Sequence, residues 1–268
     1  MIENLKNIPP EDLDRTVWRY LTFTKFVSLL TYNALWFSKL NILEDEFEGT
    51  MPPGTKRAVQ ARHQPWKEVF KAPEFQRQIE NWPDENVKSG RELLVVNCRF
   101  LGEEESERMW DKYVGSPEGL AITSTIRRLS EHVYVWPDPT ISQLGRVQYV
   151  DYQNHHMTTY ATAQACERAL LKGKNFEHEQ EVRIVTMNWK IPNCVSMEGV
   201  RYTPDECKGK DMNNFENPGL YVGANLKGLI QGIVLAPQAP KWFELLVRRI
   251  VEVSQLGAPV RRSTLENG

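Results

Sequence analysis

In the segment Phe176-Glu177-His178-Glu179-Gln180-Glu181-Val182-Arg183-Ile184-Val185-Thr186-Met187, two carboxylates and a guanidinium recur at every second position. Side chains alternate across an extended strand, so Glu179, Glu181 and Arg183 share a row if the strand begins by Glu179. Neighbouring carboxylates repel, and either the Arg183 guanidinium or a bound ligand must offset that. Two readings remain open. The row is a solvated strand face with an ion-pair ladder of small energetic weight, or it is one wall of a cleft, with a carboxylate held ready for a developing positive charge.

Other residues of chemical interest stand at strand ends. Arg19-Tyr20 falls in the alternating run Thr16-Val17-Trp18-Arg19-Tyr20-Leu21, and Thr22 or Thr24 can cap the helix that follows. A guanidinium beside a helix N-terminus is one way to hold a phosphate, and a surface Arg is the rival reading. Phe37-Ser38 closes a second short strand, Ala34-Leu35-Trp36-Phe37-Ser38. Trp110 and Tyr113 stand three apart and pack side by side on a helix, as two core aromatics or as a ledge for a flat ring. Asp45-Glu46-Phe47-Glu48-Gly49 offers oxygens to a divalent cation but lacks EF-hand spacing, so a solvated turn competes. His155-His156 has no further ligand at metal spacing.

The elements that must position these residues follow from periodicity. We expect a helix over residues 25–31, charged helices broken by Pro65, Pro73 and Pro83 outside the sheet, and a central strand over 93–100. A short helix bearing Met109, Trp110 and Tyr113 follows Ser106. Strands are expected at 119–124, 133–135 and 146–150, then an Ala-rich helix over 158–171 ended near Gly173. Between 188 and 223, Gly, Pro and Asn recur, giving loops and at most one short strand near 194–197. A strand at 232–237, a helix over 241–253 and a strand at 259–262 complete the chain. Strands and helices mix without strict βαβ alternation. The expected class is α+β, a mixed central β-sheet with flanking helices in a single domain over 1–268, with a helical insertion at about 56–83.

Composition excludes several classes. The 268 residues carry 33 basic and 35 acidic side chains, a net charge of -2, so there is no global pull towards nucleic acid. With 41% hydrophobic residues and eight Trp, the chain can bury a sizeable core. Cys98, Cys166, Cys194 and Cys207 are scattered without a C-x-x-C pair, which predicts reduced thiols rather than zinc or a disulfide framework. The N-terminus has no basic stretch leading into an apolar one, and no run reaches membrane-span length. A cytoplasmic protein without a membrane partner is expected. G-x-G-x-x-G, Walker, H-E-x-x-H and G-x-S-x-G sequences are all missing.

The order Arg19-Tyr20, Phe37-Ser38, Asp45-x-Phe47-Glu48-Gly49, Trp110-x-x-Tyr113 before Gly119-Leu120-Ala121-Ile122, then Phe176-x-x-Glu179-x-Glu181-x-Arg183, resembles a large bacterial family known as a domain of unknown function. The likeness covers nearly the whole chain and brings no activity with it. Where that family has Asn-Asp-Pro-Phe-Glu, this chain has Glu44-Asp45-Glu46-Phe47-Glu48. More distantly, an Arg on a first strand, a Ser on a second and Glu179-Gln180-Glu181 before a later one resemble ADP-ribosyltransferases. That resemblance implies an ADP-ribosyltransferase-like core that cleaves NAD at the nicotinamide–ribose bond and modifies an unknown protein or nucleic-acid acceptor, with no metal. Arg19 would hold the phosphate or ribose of NAD, and Ser38 would support the nicotinamide-side ribose. Glu181 would be the catalytic carboxylate, and Glu179 would orient the attacking nucleophile. Tyr20, Phe37 or Trp110 would stack on nicotinamide, with Tyr113 on the same ledge, while Arg183 would favour the ionised carboxylate. The class includes toxins and defence factors.

The chemistry is self-consistent. Cleavage passes through an oxocarbenium-like state, and a carboxylate bonded to the ribose 2′-hydroxyl stabilises its charge. Two rivals stay alongside. One is a module that binds a nucleotide or peptide without reaction. The other is a Mg²⁺-dependent nuclease using Asp45, Glu48, Glu179 and Glu181, opposed by the near-neutral charge and by Arg183 within the acidic row.

Overall fold

β-branched and apolar alternation builds a ten-stranded mixed sheet in the computed structural model, which describes residues 1–135, 141–157, 165–188 and 218–265, with the backbone alone at 82, 86 and 89. Its strands are β1 (Leu5–Lys6), β2 (Thr16–Thr22), β3 (Ala34–Lys39), β4 (Leu94–Leu101), β5 (Gly119–Thr125), β6 (Gln143–Arg146), β9 (Glu181–Met187), β10 (Gly219–Gly223), β11 (Gly232–Leu235) and β12 (Val260–Arg262). Between them β7 (Gln148–Val150) and β8 (Leu171–Gly173) form a separate parallel ribbon. The order across the sheet is β1-β6-β9-β4-β2-β5-β11-β12, and β3 joins β4 while carrying β10 on its other edge. The helices are α1 (Phe23–Tyr32), α2 (Pro53–Val69), α3 (Pro73–Leu93), α4 (Glu107–Tyr113), α5 (Ile126–His132), α6 (Ala165–Arg168), α7 (Leu226–Leu229) and α8 (Lys241–Val253). None of the helices among the described residues is long and apolar enough to cross a membrane.

The main core lies on one face of the sheet. Val17 and Leu21 of β2, Val95 and Leu101 of β4, and Val182 and Ile184 of β9 pack with Phe26 and Leu29 of α1 and with Phe243 and Val247 of α8. On the other face Leu94, Val96, Val185 and Met187 cover Leu40, Cys166 and Leu170. Further along that face Trp18 and Tyr20 meet Met109 and Trp110 of α4.

One feature of the pairing positions the site. β9 pairs with β4 along its whole length, from Leu94 to Phe100. The opposite edge of β4 is shared: β3 pairs only Val95 and Val96, through Lys39 and Ser38, and β2 pairs only Phe100 and Leu101. Beyond Trp18, β2 leaves this edge and continues on β5 as far as Thr22. Residues 97–99 of β4 therefore have no strand beside them on this edge among the described residues. Side chains bridge the split instead. Arg19 Nη1 donates to the Cys98 carbonyl, and Asn97 Nδ2 donates to the Trp36 carbonyl at 2.9 Å. By alternation Asn97 and Arg99 point to the main-core face, and Cys98 and Phe100 to the other.

Several expectations are corrected. Residues 53–93 form two long helices, not short pieces ending at 83, because Pro65 and Pro83 sit inside helices and Pro73 starts one. An internal Pro removes one backbone bond and strains the turn, which a helix supported along its side can survive. The Lys56–Asp84 and Lys67–Glu80 pairs at 2.6 and 2.9 Å tie α2 to α3. Residues 133–135 contribute a single bridge, Val133 to Ala224, rather than a strand. The strand expected at 146–150 is broken at Val147 into β6 and β7, which belong to different sheets. The helix expected over 158–171 ends at Arg168, and Leu171 already belongs to β8; residues 158–164 lie outside the described residues. β10 lies inside the stretch read as loop, while 194–197 is outside the described residues. Thr22 occupies the position before α1, but its hydroxyl meets that of Thr24 at 3.1 Å instead of capping an amide.

Candidate functional site

Two hollows flank the split in the sheet and share Arg19, Leu21, Lys25 and Arg99 in their walls. The larger, about 320 Å³, is walled further by α1, β3 and β10, with Trp36, Ser38, Asn97 and Tyr221 in its lining. The smaller, about 50 Å³, is completed by Tyr20, Cys98, Phe100, Tyr113, Glu179 and Glu181. Residues far apart in sequence thus line two adjoining hollows, Ser38 only the larger, Glu179 and Glu181 only the smaller and Arg19 both, because β2 and β3 abut the same edge of β4 while β9 lies along the other.

The acidic row is not a strand face. The strand starts at Glu181, and Glu179 ends a preceding 3₁₀ turn, Lys174–Glu179. Gln180 between them is left-handed, at φ 39° and ψ 54°. This conformation costs a non-glycine residue energy and reorients the chain, so Glu179 and Glu181 are not related by strand alternation. Both are nevertheless buried, at 1% and 6% exposure, which excludes the solvated ladder.

Burial is compensated by an ion cluster. Lys112 Nζ and Lys172 Nζ donate to the two Glu179 oxygens at 2.7 and 2.6 Å. Lys172 also lies 3.0 Å from Glu48 Oε1. Arg183 Nε donates to Glu181 Oε2 at 2.7 Å, its Nη2 reaches the same oxygen, and its Nη1 donates to the Ala169 carbonyl at 2.8 Å and lies 3.0 Å from Glu48 Oε2. Three carboxylates thus face three cations. Burial pushes the Glu48 carboxyl up, but Arg183 and Lys172 more than offset this and hold it below its ordinary value. At Glu179 burial again pushes up, and bonds from Lys112 and Lys172 bring the net shift down. Burial alone would lower Arg183, yet Glu181 and Glu48 hold it well above its ordinary range.

On the main-core face the balance is different. Arg99 is 2% exposed, and its Nε donates to Asn97 Oδ1 at 2.9 Å. Its Nη1 and Nη2 are buried and have no hydrogen-bond partner among the described residues. Burial lowers its pKa well below the ordinary value, and the Arg19 charge lowers it further. A buried guanidinium without an acid partner among the described residues is costly. No family profile matches the chain, and a search among curated proteins returns no match.

The structure brings Arg19, Tyr20, Ser38, Tyr113, Glu179 and Glu181 to the two hollows, and keeps three other expected residues away. Phe37 is fully buried in the main core and presents no ring face to a ligand. Trp110 supports Tyr20 edge-on at 4.9 Å and bonds Glu105 Oε2 at 3.0 Å, so it backs the site without lining it. The expected Trp110–Tyr113 ledge is absent, because Trp110 is buried while Tyr113 is 37% exposed and lines the smaller hollow. Arg183 is enclosed by Glu48, Glu181 and Ala169 and lines neither hollow. Glu179 has both oxygens held by lysines, so it is engaged as an anchor. Asp45 Oδ1 accepts from its own turn, at the Phe47 amide 2.9 Å away, not from a cation site. Among the described residues no group of three or more His, Cys, Asp or Glu is arranged to hold a metal ion. Sequence reading missed Arg99, Lys25, Lys112 and Lys172. For Arg99 a signal exists: a charged residue inside the apolar run Leu93-Leu94-Val95-Val96-Asn97-Cys98-Arg99-Phe100 has to find a partner.

Proposed function

We propose that the chain is an ADP-ribosyltransferase-like protein that binds NAD across the split of its sheet and cleaves the nicotinamide–ribose bond. The observation that carries this reading is that Arg19, Ser38 and Glu181, on three separate strands, line two hollows with four shared wall residues. In this reading Arg19 fixes the phosphate-side half of NAD, and Ser38 bonds the ribose next to nicotinamide. Glu181 accepts a hydrogen bond from the ribose 2′-hydroxyl as positive charge develops at the anomeric carbon. Arg183, which forks onto Glu181, orients that carboxylate. The acceptor is a macromolecule whose class awaits labelling with NAD in lysate.

The test is nicotinamide release from NAD by the purified protein and by Glu181→Gln, with cooperative melting as the check on folding. Glu181→Asp, which keeps the charge but withdraws it by one methylene, serves as the second variant. The reading expects release by the wild type and a loss of at least about a hundredfold in Glu181→Gln, the size typical of removing one transition-state contact. Release undiminished in both variants removes Glu181 from the chemistry.

A second reading has its own support. The hollow beside Glu181 is only about 50 Å³, room for ordered water rather than a nicotinamide ring. A module that binds a nucleotide in the larger hollow without reaction fits this geometry, and it predicts thermal stabilisation by NAD with no nicotinamide released. The nuclease reading loses ground, because Glu48, Glu179 and Glu181 each have at least one oxygen engaged by Lys112, Lys172 or Arg183.

A further inference from the structure

The cations at the split are out of balance in a way the acidic cluster is not. Glu48, Glu179 and Glu181 are matched by Lys112, Lys172 and Arg183. Arg19, Arg99 and Lys25 also meet in the walls common to both hollows, and the two carboxylates in the smaller one, Glu179 and Glu181, are already spoken for. Arg99 has two terminal nitrogens buried without partners among the described residues, while its Nε is fixed by Asn97, whose own amide is anchored on Trp36. Arg19 is likewise fixed, by its bond to the Cys98 carbonyl. Lys25 is exposed, in the first turn of α1, and completes the rim.

The chain thus holds a guanidinium rigidly in low dielectric, next to a second guanidinium, with no acid among the described residues to neutralise it. Both features raise the free energy of the empty protein. An anion with paired oxygens relieves both at once, since a planar fork matches two oxygens of a phosphate. We infer that Arg99, with Arg19 and Lys25, forms a receptor for the diphosphate of a nucleotide, and that Arg99 is its central binding residue. A diphosphate is favoured over a single carboxylate because it brings at least two negative charges, against three cations, and is long enough to bond more than one of them. The nucleotide assignment rests on the reading above, whereas the anion receptor itself stands on Arg99 alone.

The probes are inorganic diphosphate, ADP and adenosine, followed by calorimetry and thermal shift on the full chain. The wild type is expected to bind ADP and inorganic diphosphate, and not to respond to adenosine through Arg99. Arg99→Met keeps the packing volume and deletes the charge. We expect its ligand-free melting temperature to equal or exceed that of the wild type, and its affinity for both phosphorylated probes to fall at least tenfold. Arg99→Lys, which retains charge but not the fork, is expected to weaken ADP binding as well and is decisive should the Met variant fail to melt cooperatively. Wild-type affinity for ADP in either variant overturns the proposal, as does failure of the wild type to bind either phosphorylated probe. Arg99-dependent diphosphate binding without nicotinamide release supports the receptor and refutes only the catalytic reading. Nicotinamide release with ADP binding indifferent to Arg99 refutes only the receptor.

Discussion

Replacing Lys172 by Met tests whether the ion cluster holds the site together. Lys172 is 5% exposed, and its Nζ lies 2.6 Å from Glu179 Oε2, 3.0 Å from Glu48 Oε1 and 4.0 Å from Glu181 Oε2. Met retains most of the side-chain volume, including contact with the Phe176 ring that Lys172 Nζ approaches to 4.6 Å. What is lost is one charge out of a balanced six. Glu179 keeps only Lys112 and Glu48 only Arg183, so one buried negative charge is left over. Breaking a buried pair from one side costs about 3–5 kcal/mol, much of it the penalty on the group left behind. Against a total stability of about 5–15 kcal/mol the variant is folded but weak. At roughly 2–4 °C per kcal/mol for a chain this size, its melting temperature should fall by about 6–20 °C.

The pH dependence follows with a definite sign. The folded pKa values of Glu48 and Glu179 are lowered in the wild type, so their contribution is complete above the ordinary 4.5 and is lost as pH falls through the lowered values. In Lys172→Met the uncompensated carboxylate binds a proton more readily, which relieves its penalty on acidification. The stability gap between the two proteins should therefore narrow below about pH 5. Urea midpoints at pH 7 and pH 4 measure this. A loss under about 1 kcal/mol at neutral pH, or a gap that widens in acid, would refute the argument.

Tyr20→Phe leaves the Ser106 amide without the hydroxyl that accepts its bond at 2.8 Å, and should cost about 1–3 kcal/mol with the urea slope unchanged; an unmoved midpoint would mean that the bond does not anchor α4. The Cys98 thiol, pushed up to about 12 by burial and then by Glu181, should react with iodoacetamide at pH 8 about a thousandfold more slowly than a free thiol; site-mapped mass spectrometry at near-free rates would contradict that environment.

How far the sequence reaches depends on whether a feature is local. Strands β2, β3, β4, β5 and β11 and helix α8 were legible because alternation and helical period are written in neighbouring residues. Arg19, Ser38 and Glu181 could be singled out for a similar reason, each lying on a strand. The turn at Gln180 was not legible: a left-handed Gln is imposed by contacts on both sides, since Glu179 must reach Lys112 and Lys172 while Glu181 enters the sheet. Residues 65 and 83 misled in the opposite direction, because packing between α2 and α3 overrides the local cost of proline.

Composition and spacing alone fixed a mixed sheet with flanking helices and a row of charge that had to be explained. Only the tertiary structure decided that β2 and β3 share one edge of β4 and leave 97–99 open between them. Strand pairing joins β4 to residues 82–84 positions away in β2 and 56–58 positions away in β3, and no periodicity within either segment encodes which edge the other will occupy. The same holds for Arg99 and Lys172. Their types were visible from the start, but whether each is neutralised depends on which distant side chains reach it, and there the two part: among the described residues Lys172 finds three carboxylates, whereas the terminal nitrogens of Arg99 find none.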